Sequence, residues 1–227
     1  MLLPGMDGTG DLFAPLIDAL GDKISCSVVR YPDESLDYAG HEAIARAALP
    51  ANGPYVILGE SFSGPIAVSI AASKPIGLVG CILCASFITC PRTVLKVLRP
   101  FLGLARAKHV PAAVADYFVM GRFATPELAR QRFQAVQRVS SSTLKARLRA
   151  MSRVDVRESA RRLSLPTLYL RATEDRMVPR SAGDELGGLA MHAKIIEIEA
   201  PHFLLQARPL EAARAISEFM QRELMSP

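Results

Sequence analysis

Three residue types that together perform nucleophilic acyl chemistry, a serine, a carboxylate and a histidine, each occupy a short polar turn directly after an apolar run. Tyr55-Val56-Ile57-Leu58-Gly59 leads into Glu60-Ser61-Phe62-Ser63-Gly64-Pro65, Thr167 to Leu170 leads into a turn containing Asp175, and Lys194 to Ile198 leads into Glu199-Ala200-Pro201-His202. A serine hydroxyl is a weak nucleophile at neutral pH, so His202 must take its proton, and a carboxylate, Asp175, must fix the imidazole tautomer and stabilise the imidazolium. Around Ser61 small residues must clear a strained strand-to-helix turn. The alkoxide would form near the N-terminus of the following helix, whose dipole favours negative charge, and the backbone N–H of Phe62 is placed to donate to a developing oxyanion. A strict Gly-x-Ser-x-Gly spacing would put glycine at position 63; the chain has Ser63, small enough for the turn to survive, and Gly64 one place later. Taken alone, a serine between glycines fits an ordinary strand-to-helix turn equally well.

A fourth segment adds to the pattern. Leu2-Leu3-Pro4-Gly5-Met6-Asp7-Gly8-Thr9-Gly10 is a glycine-rich loop after an apolar stub, and such a loop can supply the second oxyanion N–H, here that of Met6. It lacks the Gly-x-Gly-x-x-Gly spacing and the Lys-Ser or Lys-Thr ending of nucleotide loops. Asp7 reads as a loop organiser. Glu174 is the rival to Asp175, one residue away. Glu60 either tunes the turn or simply faces solvent. His41, His109 and His192 read as surface histidines, because none stands at a strand end as His202 does. Cys81 and Cys84 have the spacing of a zinc pair but lie in an apolar run with no second pair or histidine nearby, so the four cysteines read as free thiols and no metal is expected.

These turns need a scaffold of alternating strands and helices. Ser25 to Val29, Tyr55 to Leu58, Leu78 to Cys84, Thr167 to Leu170 and Lys194 to Ile198 have the short, apolar character of buried parallel strands. Leu12 to Leu20, Gly40 to Leu49, Gly64 to Ser73, Ala182 to Gly188 and Ala207 to Glu223 read as the helices between and after them. The alternation predicts an α/β fold with a mostly parallel sheet. It is interrupted between Arg92 and Arg162, where sixteen Lys or Arg stand against four acids, so this segment is about +12 and the remainder about −7. Apolar residues there follow helical spacing, as in Val94, Leu95, Leu98 and Leu102, then Leu128, Phe133, Val136 and Val139, then Leu144, Leu148 and Met151. Thr125-Pro126 reads as an N-cap with proline in the first turn. A helical insertion over 91–155 thus divides a core of 1–90 and 156–227.

The four turns in this order resemble the α/β-hydrolase superfamily, and within it a branch whose first loop reads Leu-Pro-Gly-x-Asp-Gly-Thr-Gly, matched here by Leu3 to Gly10. The resemblance implies carboxylic ester hydrolysis through an acyl-serine, with Ser61, Asp175 and His202 as triad, Met6 and Phe62 as oxyanion donors, and neither metal nor cofactor. It also implies that the insertion is a lid over the acyl pocket. Acyl transfer, thioester cleavage and peroxide activation remain open for the same site, as does a non-catalytic descendant that binds a ligand. Met1 falls almost on the first loop, so the strands that precede it in the family are absent; the short sheet edge predicts a homodimer or an unusually exposed edge. The expected partner is a small-molecule acyl ester. No motif points to nucleic acid, no uncharged apolar stretch reaches about 18 residues for stable membrane insertion, and the N-terminus lacks a signal-peptide pattern, which makes a cytoplasmic protein the expectation.

Overall fold

The computed structural model describes residues 1–92 and 111–224. Strands β1 (Leu2–Leu3), β2 (Tyr55–Glu60), β3 (Leu78–Cys84), β4 (Thr167–Ala172) and β5 (Ala193–Ile198) pair in parallel in the order β1-β2-β3-β4-β5. Alternation along them fills two cores. Leu3, Ile57, Cys81, Leu83 and Tyr169 face one side, and Leu2, Leu58, Ile82, Cys84, Leu168 and Leu170 the other. Both faces are covered, which is why the strands read as near-continuous apolar runs. Cys81 and Cys84 consequently send their sulfurs to opposite sides of the sheet.

Helices α1 (Ala14–Leu20), α2 (Tyr38–Ala47) and α3 (Gly64–Ala72) connect the first three strands. Between β3 and β4 lie α4 (Ala112–Val119), α5 (Pro126–Gln137), α6 (Ser141–Met151) and α7 (Arg157–Arg161). After β4 come α8 (Arg180–Leu189), α9 (Leu204–Ala207) and α10 (Pro209–Leu224). Helices α2, α3, α7 and α8 cover one face, while α1 and α10 pack together on the other. The helix predicted over Ala207 to Glu223 breaks before Pro209, which cannot donate to a continuing helical ladder.

The strand predicted over Ser25 to Val29 is reduced to a single parallel bridge between Leu2 and Val28, with the N–H of Leu2 donating to Ser27 and that of Val29 to Leu2. Its partner is too short for more: Pro4 follows β1 after two residues and has no N–H for the ladder. This bridge lies outside β1 and β2 lies inside it, so the chain's direction across the sheet reverses there. In open α/β sheets the crevice at such a reversal, beyond the strands' carboxyl ends, is where ligands bind.

The segment between β3 and β4 leaves and returns through an antiparallel bridge of Thr89 with Asp155, next to Val156 N–H donating to Ile88 at 2.9 Å. Thr125 caps α5 by accepting from the N–H of Leu128 at 3.2 Å, with Pro126 in the first turn. Phe133 does not join the buried face predicted for it and is 51% exposed. The buried residues of α5 are Arg132 and Ala135, because Arg132 turns inward to Asp116 at 2.6 Å and rotates the helix accordingly. Val94, Leu95, Leu98 and Leu102 lie outside the described residues. Among the described residues no helix is long and apolar enough to cross a membrane.

Candidate active site

Ser61 closes β2 with φ at +46°, a left-handed backbone that L-residues rarely adopt and that strained functional turns retain. Two glycines make this turn. A Cβ on Gly59 would lie 2.6 Å from the carbonyl oxygen of Ser63, and one on Gly64 would lie 1.8 Å from Ser86 Oγ. Position 63 needs no glycine. The Ser63 hydroxyl, fully buried, donates to the carbonyl of Pro4 and pairs with Tyr31 Oη at 2.9 Å, tying the glycine-rich loop to the turn.

Ser61, His202 and Asp175 come together from three strand ends. Ser61 Oγ lies 2.9 Å from His202 Nε2, and His202 Nδ1 lies 2.8 Å from Asp175 Oδ2. The other carboxylate oxygen, Oδ1, accepts from the N–H groups of Met177 at 2.7 Å and Val178 at 2.8 Å. Burial disfavours the charged form of His202, but the Asp175 carboxylate and Glu60 outweigh it, leaving the imidazole above its ordinary value of 6.5. Glu174, the rival acid, turns away to Arg122 at 2.5 Å.

The two N–H groups expected to face an oxyanion belong to peptide planes whose carbonyls are held from behind. In a trans peptide the C=O and N–H point in opposite directions, so fixing one aims the other. Ser61 O accepts from Ser86 Oγ at 2.5 Å and from the N–H of Gly64, which fixes the plane carrying the Phe62 N–H. Gly5 O accepts from the N–H of Gly8 at 3.1 Å, which fixes the plane carrying the Met6 N–H. Among the described residues neither donor has a hydrogen-bond acceptor. The loop lies against the nucleophile, with a Cβ built on Gly5 4.0 Å from Ser61 Cβ. Asp7 organises it by accepting from the N–H of Thr9 at 2.9 Å and from its hydroxyl.

Two expectations are corrected here. His41 is not a surface residue: it is fully buried, edge-on to Tyr31 and Phe62, with Nδ1 2.6 Å from Asp37 O and Nε2 3.3 Å from Arg147 Nε. Glu60 does not face solvent: it is buried and accepts from Gln206 Nε2 at 2.9 Å, and the same amide nitrogen reaches Leu12 O at 3.2 Å. Burial pushes the Glu60 carboxyl up to about 7, against the pull of the Gln206 hydrogen bond. In both cases partners remote in sequence make the buried position tenable. His192 is exposed, and His109 lies outside the described residues. Nothing in the sequence singles out Arg147, Gln206, Tyr31 or Ser86, all of which reach the site's framework.

The sequence model of the serine aminopeptidase S33 family matches residues 30–197. The chain belongs to this family of hydrolases. Pimeloyl-[acyl-carrier protein] methyl ester esterase of Xanthomonas axonopodis pv. citri is 26% identical over all of the chain and 94% of its own length. The same fold is seen in the enol-lactonase from Burkholderia xenovorans LB400, with a TM-score of 0.82 at 17% identity over 97% of this chain and 90% of that one. A thermophilic esterase from Thermogutta terrifontis gives a TM-score of 0.81 at 18% identity over 97% and 88%. This S33 member therefore has the α/β-hydrolase fold, a parallel sheet flanked by helices.

Proposed function

We propose that the protein hydrolyses carboxylic esters through an acyl-serine intermediate. Ser61 Oγ attacks the ester carbonyl while His202 Nε2 takes its proton, and the N–H groups of Met6 and Phe62 receive the oxyanion of the tetrahedral intermediate. The C–O bond to the alcohol then breaks as the imidazolium returns the proton to the leaving oxygen. Water, deprotonated by the same histidine, attacks the acyl-serine and releases the carboxylic acid and Ser61. Asp175 keeps the Nδ1–H tautomer in place throughout. No group outside the chain is required. The reading rests on the continuous hydrogen-bonded line from Ser61 through His202 to Asp175, with the serine in a left-handed turn.

The segment between β3 and β4 acts in this proposal as a lid. Arg122 joins it to Glu174 beside the acid turn, and the N–H of Phe203, next to His202, donates to Val119 on α4 at 3.2 Å. Phe87, Met151 and Val154 of this segment pack with Val178, which follows the acid turn, and with Met6 of the glycine-rich loop, an apolar cluster that seats the segment beside the site. The charge of about +12 between Arg92 and Arg162 favours one narrower reading, in which the acyl group arrives on an anionic carrier drawn in by long-range attraction. Such attraction would make kcat/KM for a carrier-linked ester fall steeply with salt while that for a neutral ester stays flat.

A panel of esters of graded acyl length, with a thioester and an aminoacyl anilide beside them, tests the proposal against Ser61→Ala. Ester turnover should fall by several orders of magnitude in the variant with the fold retained, and a fluorophosphonate should label the parent at Ser61. Retention of most activity in Ser61→Ala would refute the reading.

A further inference from the structure

Arg147 is the largest fully buried side chain in the described residues, and it comes from α6, a helix of the segment between β3 and β4. Its guanidinium reaches out of that segment to the glycine-rich loop. Nη1 donates to Met6 O at 2.8 Å and to Asp7 O at 2.9 Å, Nη2 donates to Pro32 O at 3.1 Å, and Nε donates to His41 Nε2 at 3.3 Å. The charged or titratable groups nearest to it are Asp7, Tyr31, Asp33 and His41. Burying a cation is costly, and an apolar side chain of the same volume would fill the site as well or better if filling were all that mattered. What the guanidinium does that no apolar group can do is hold carbonyl oxygens.

Which carbonyls it holds decides its role. The Asp7 carbonyl shares a peptide plane with the N–H of Gly8, and that N–H donates to Gly5 O at 3.1 Å. The Gly5 carbonyl in turn shares its plane with the N–H of Met6. Each plane is rigid and trans, so the guanidinium on Asp7 O sets the direction of the Gly8 N–H, and this bond sets the direction of the Met6 N–H. The held Met6 carbonyl fixes the one plane between them. Gly8 itself is fitted to this arrangement: its φ is +72°, and a Cβ on it would stand 2.6 Å from Arg147 Nη1.

We propose that Arg147 is a positioning residue for the oxyanion donor Met6, so that seating of α6 against the glycine-rich loop sets catalytic power rather than substrate affinity. This rests on the acyl-serine reading, with Met6 as one of its two donors. Losing an oxyanion donor outright lowers kcat by about 100- to 1000-fold. Releasing it to wander through a range of orientations should lower kcat by about 10- to 100-fold, with KM within about threefold of the parent.

Arg147→Ala and Arg147→Lys are compared with the parent on one activated ester, with kcat expressed per fluorophosphonate-titrated Ser61. Affinity is measured for a trifluoromethyl ketone, which forms a tetrahedral oxyanion on the serine, and for the unreactive alcohol of the same shape. The expected result is a loss in kcat matched by an equal loss in ketone affinity, with alcohol affinity unchanged, smaller in Arg147→Lys, and partly reversed in Arg147→Ala by added methylguanidinium. Full kcat per titrated site in either folded variant, a change in KM alone, or failure of both variants to fold would assign the arginine to the fold and overturn the proposal. Should Ser61→Ala keep the parent's activity, the acyl-serine reading fails instead, which separates the two outcomes.

Discussion

Replacing Asp175 by asparagine changes one atom, and the hydrogen bonds around that atom determine the consequence. Oδ1 of Asp175 accepts from two backbone N–H groups, those of Met177 and Val178, so in the variant this position must stay oxygen. The amide nitrogen is then forced to Oδ2's place, 2.8 Å from His202 Nδ1. Two donors cannot face each other, so the imidazole gives up its Nδ1 proton and carries it on Nε2, pointing at Ser61 Oγ 2.9 Å away. A protonated Nε2 cannot act as base. Loss of the correct tautomer in such a relay costs about 10⁴-fold in kcat, which is about 5.4 kcal/mol of barrier at 1.36 kcal/mol per decade. A second signature follows from charge. Burial opposes the imidazolium while Asp175 and Glu60 favour it, the net direction being upward from 6.5, and the base works only when neutral. The acid limb of kcat/KM in the parent should therefore lie above pH 6.5, and in Asp175→Asn it should move down. Pre-steady-state and steady-state hydrolysis of an activated ester from pH 5 to 9 reads both effects. A variant within tenfold of the parent at pH 8, or with an unmoved acid limb, would refute the tautomer reasoning.

Two further predictions concern the buried groups that the hydrolytic steps do not use. Glu60 holds its proton up to about pH 7 when folded, against 4.5 ordinarily, so ionising it opposes folding as pH rises from 4.5 through 7. Glu60→Gln should accordingly be the more stable form at pH 8, by up to about 3 kcal/mol from that shift at 1.36 kcal/mol per unit. The advantage should vanish near pH 4.5 in urea titrations. An equal advantage at both pH values would disprove the linkage. His41 works in the opposite sense: burial lowers its folded value below 6.5, so its contribution is whole above pH 6.5 and is lost as pH falls through that value. His41→Asn should differ from the parent by less at pH 5.5 than at pH 7.5; a constant difference would count against a neutral buried imidazole.

The parallel sheet was legible because burial on both faces leaves an unbroken apolar run, and Tyr55 to Leu58 and Leu78 to Cys84 could hardly be anything else. The turns after those runs were legible for the same reason, since polar residues at a buried strand's end have few other uses. What the sequence hid was the burial of polar side chains. His41 and Glu60 look like surface residues because the groups that satisfy them stand 106 and 146 residues away, in Arg147 and Gln206. Local spacing carries no trace of such pairings. Phe133 errs the other way, an apolar residue at helical spacing displaced from the interior by the inward ion pair of Arg132 with Asp116. Ser63 shows why the motif departure was harmless and more: the close approach falls at Gly64, against Ser86, while the Ser63 hydroxyl takes up the carbonyl of Pro4.

The same asymmetry runs through the site. Groups that would touch substrate stand in local turns and announce themselves, whereas the groups that aim them act on backbone carbonyls, and backbone atoms have no sequence signature. Ser86 behind Ser61 O, Gly8 behind Gly5 O and Arg147 behind Asp7 O each orient an N–H by holding the far end of its peptide plane or of the plane next in line. A residue in this position is constrained by what its donor reaches and not by its neighbours in the chain. Substitutions there should therefore lower kcat while leaving the recognisable motif intact, so that a chain with a perfect Ser61, Asp175 and His202 but no donor at 86 or 147 would be a poor hydrolase.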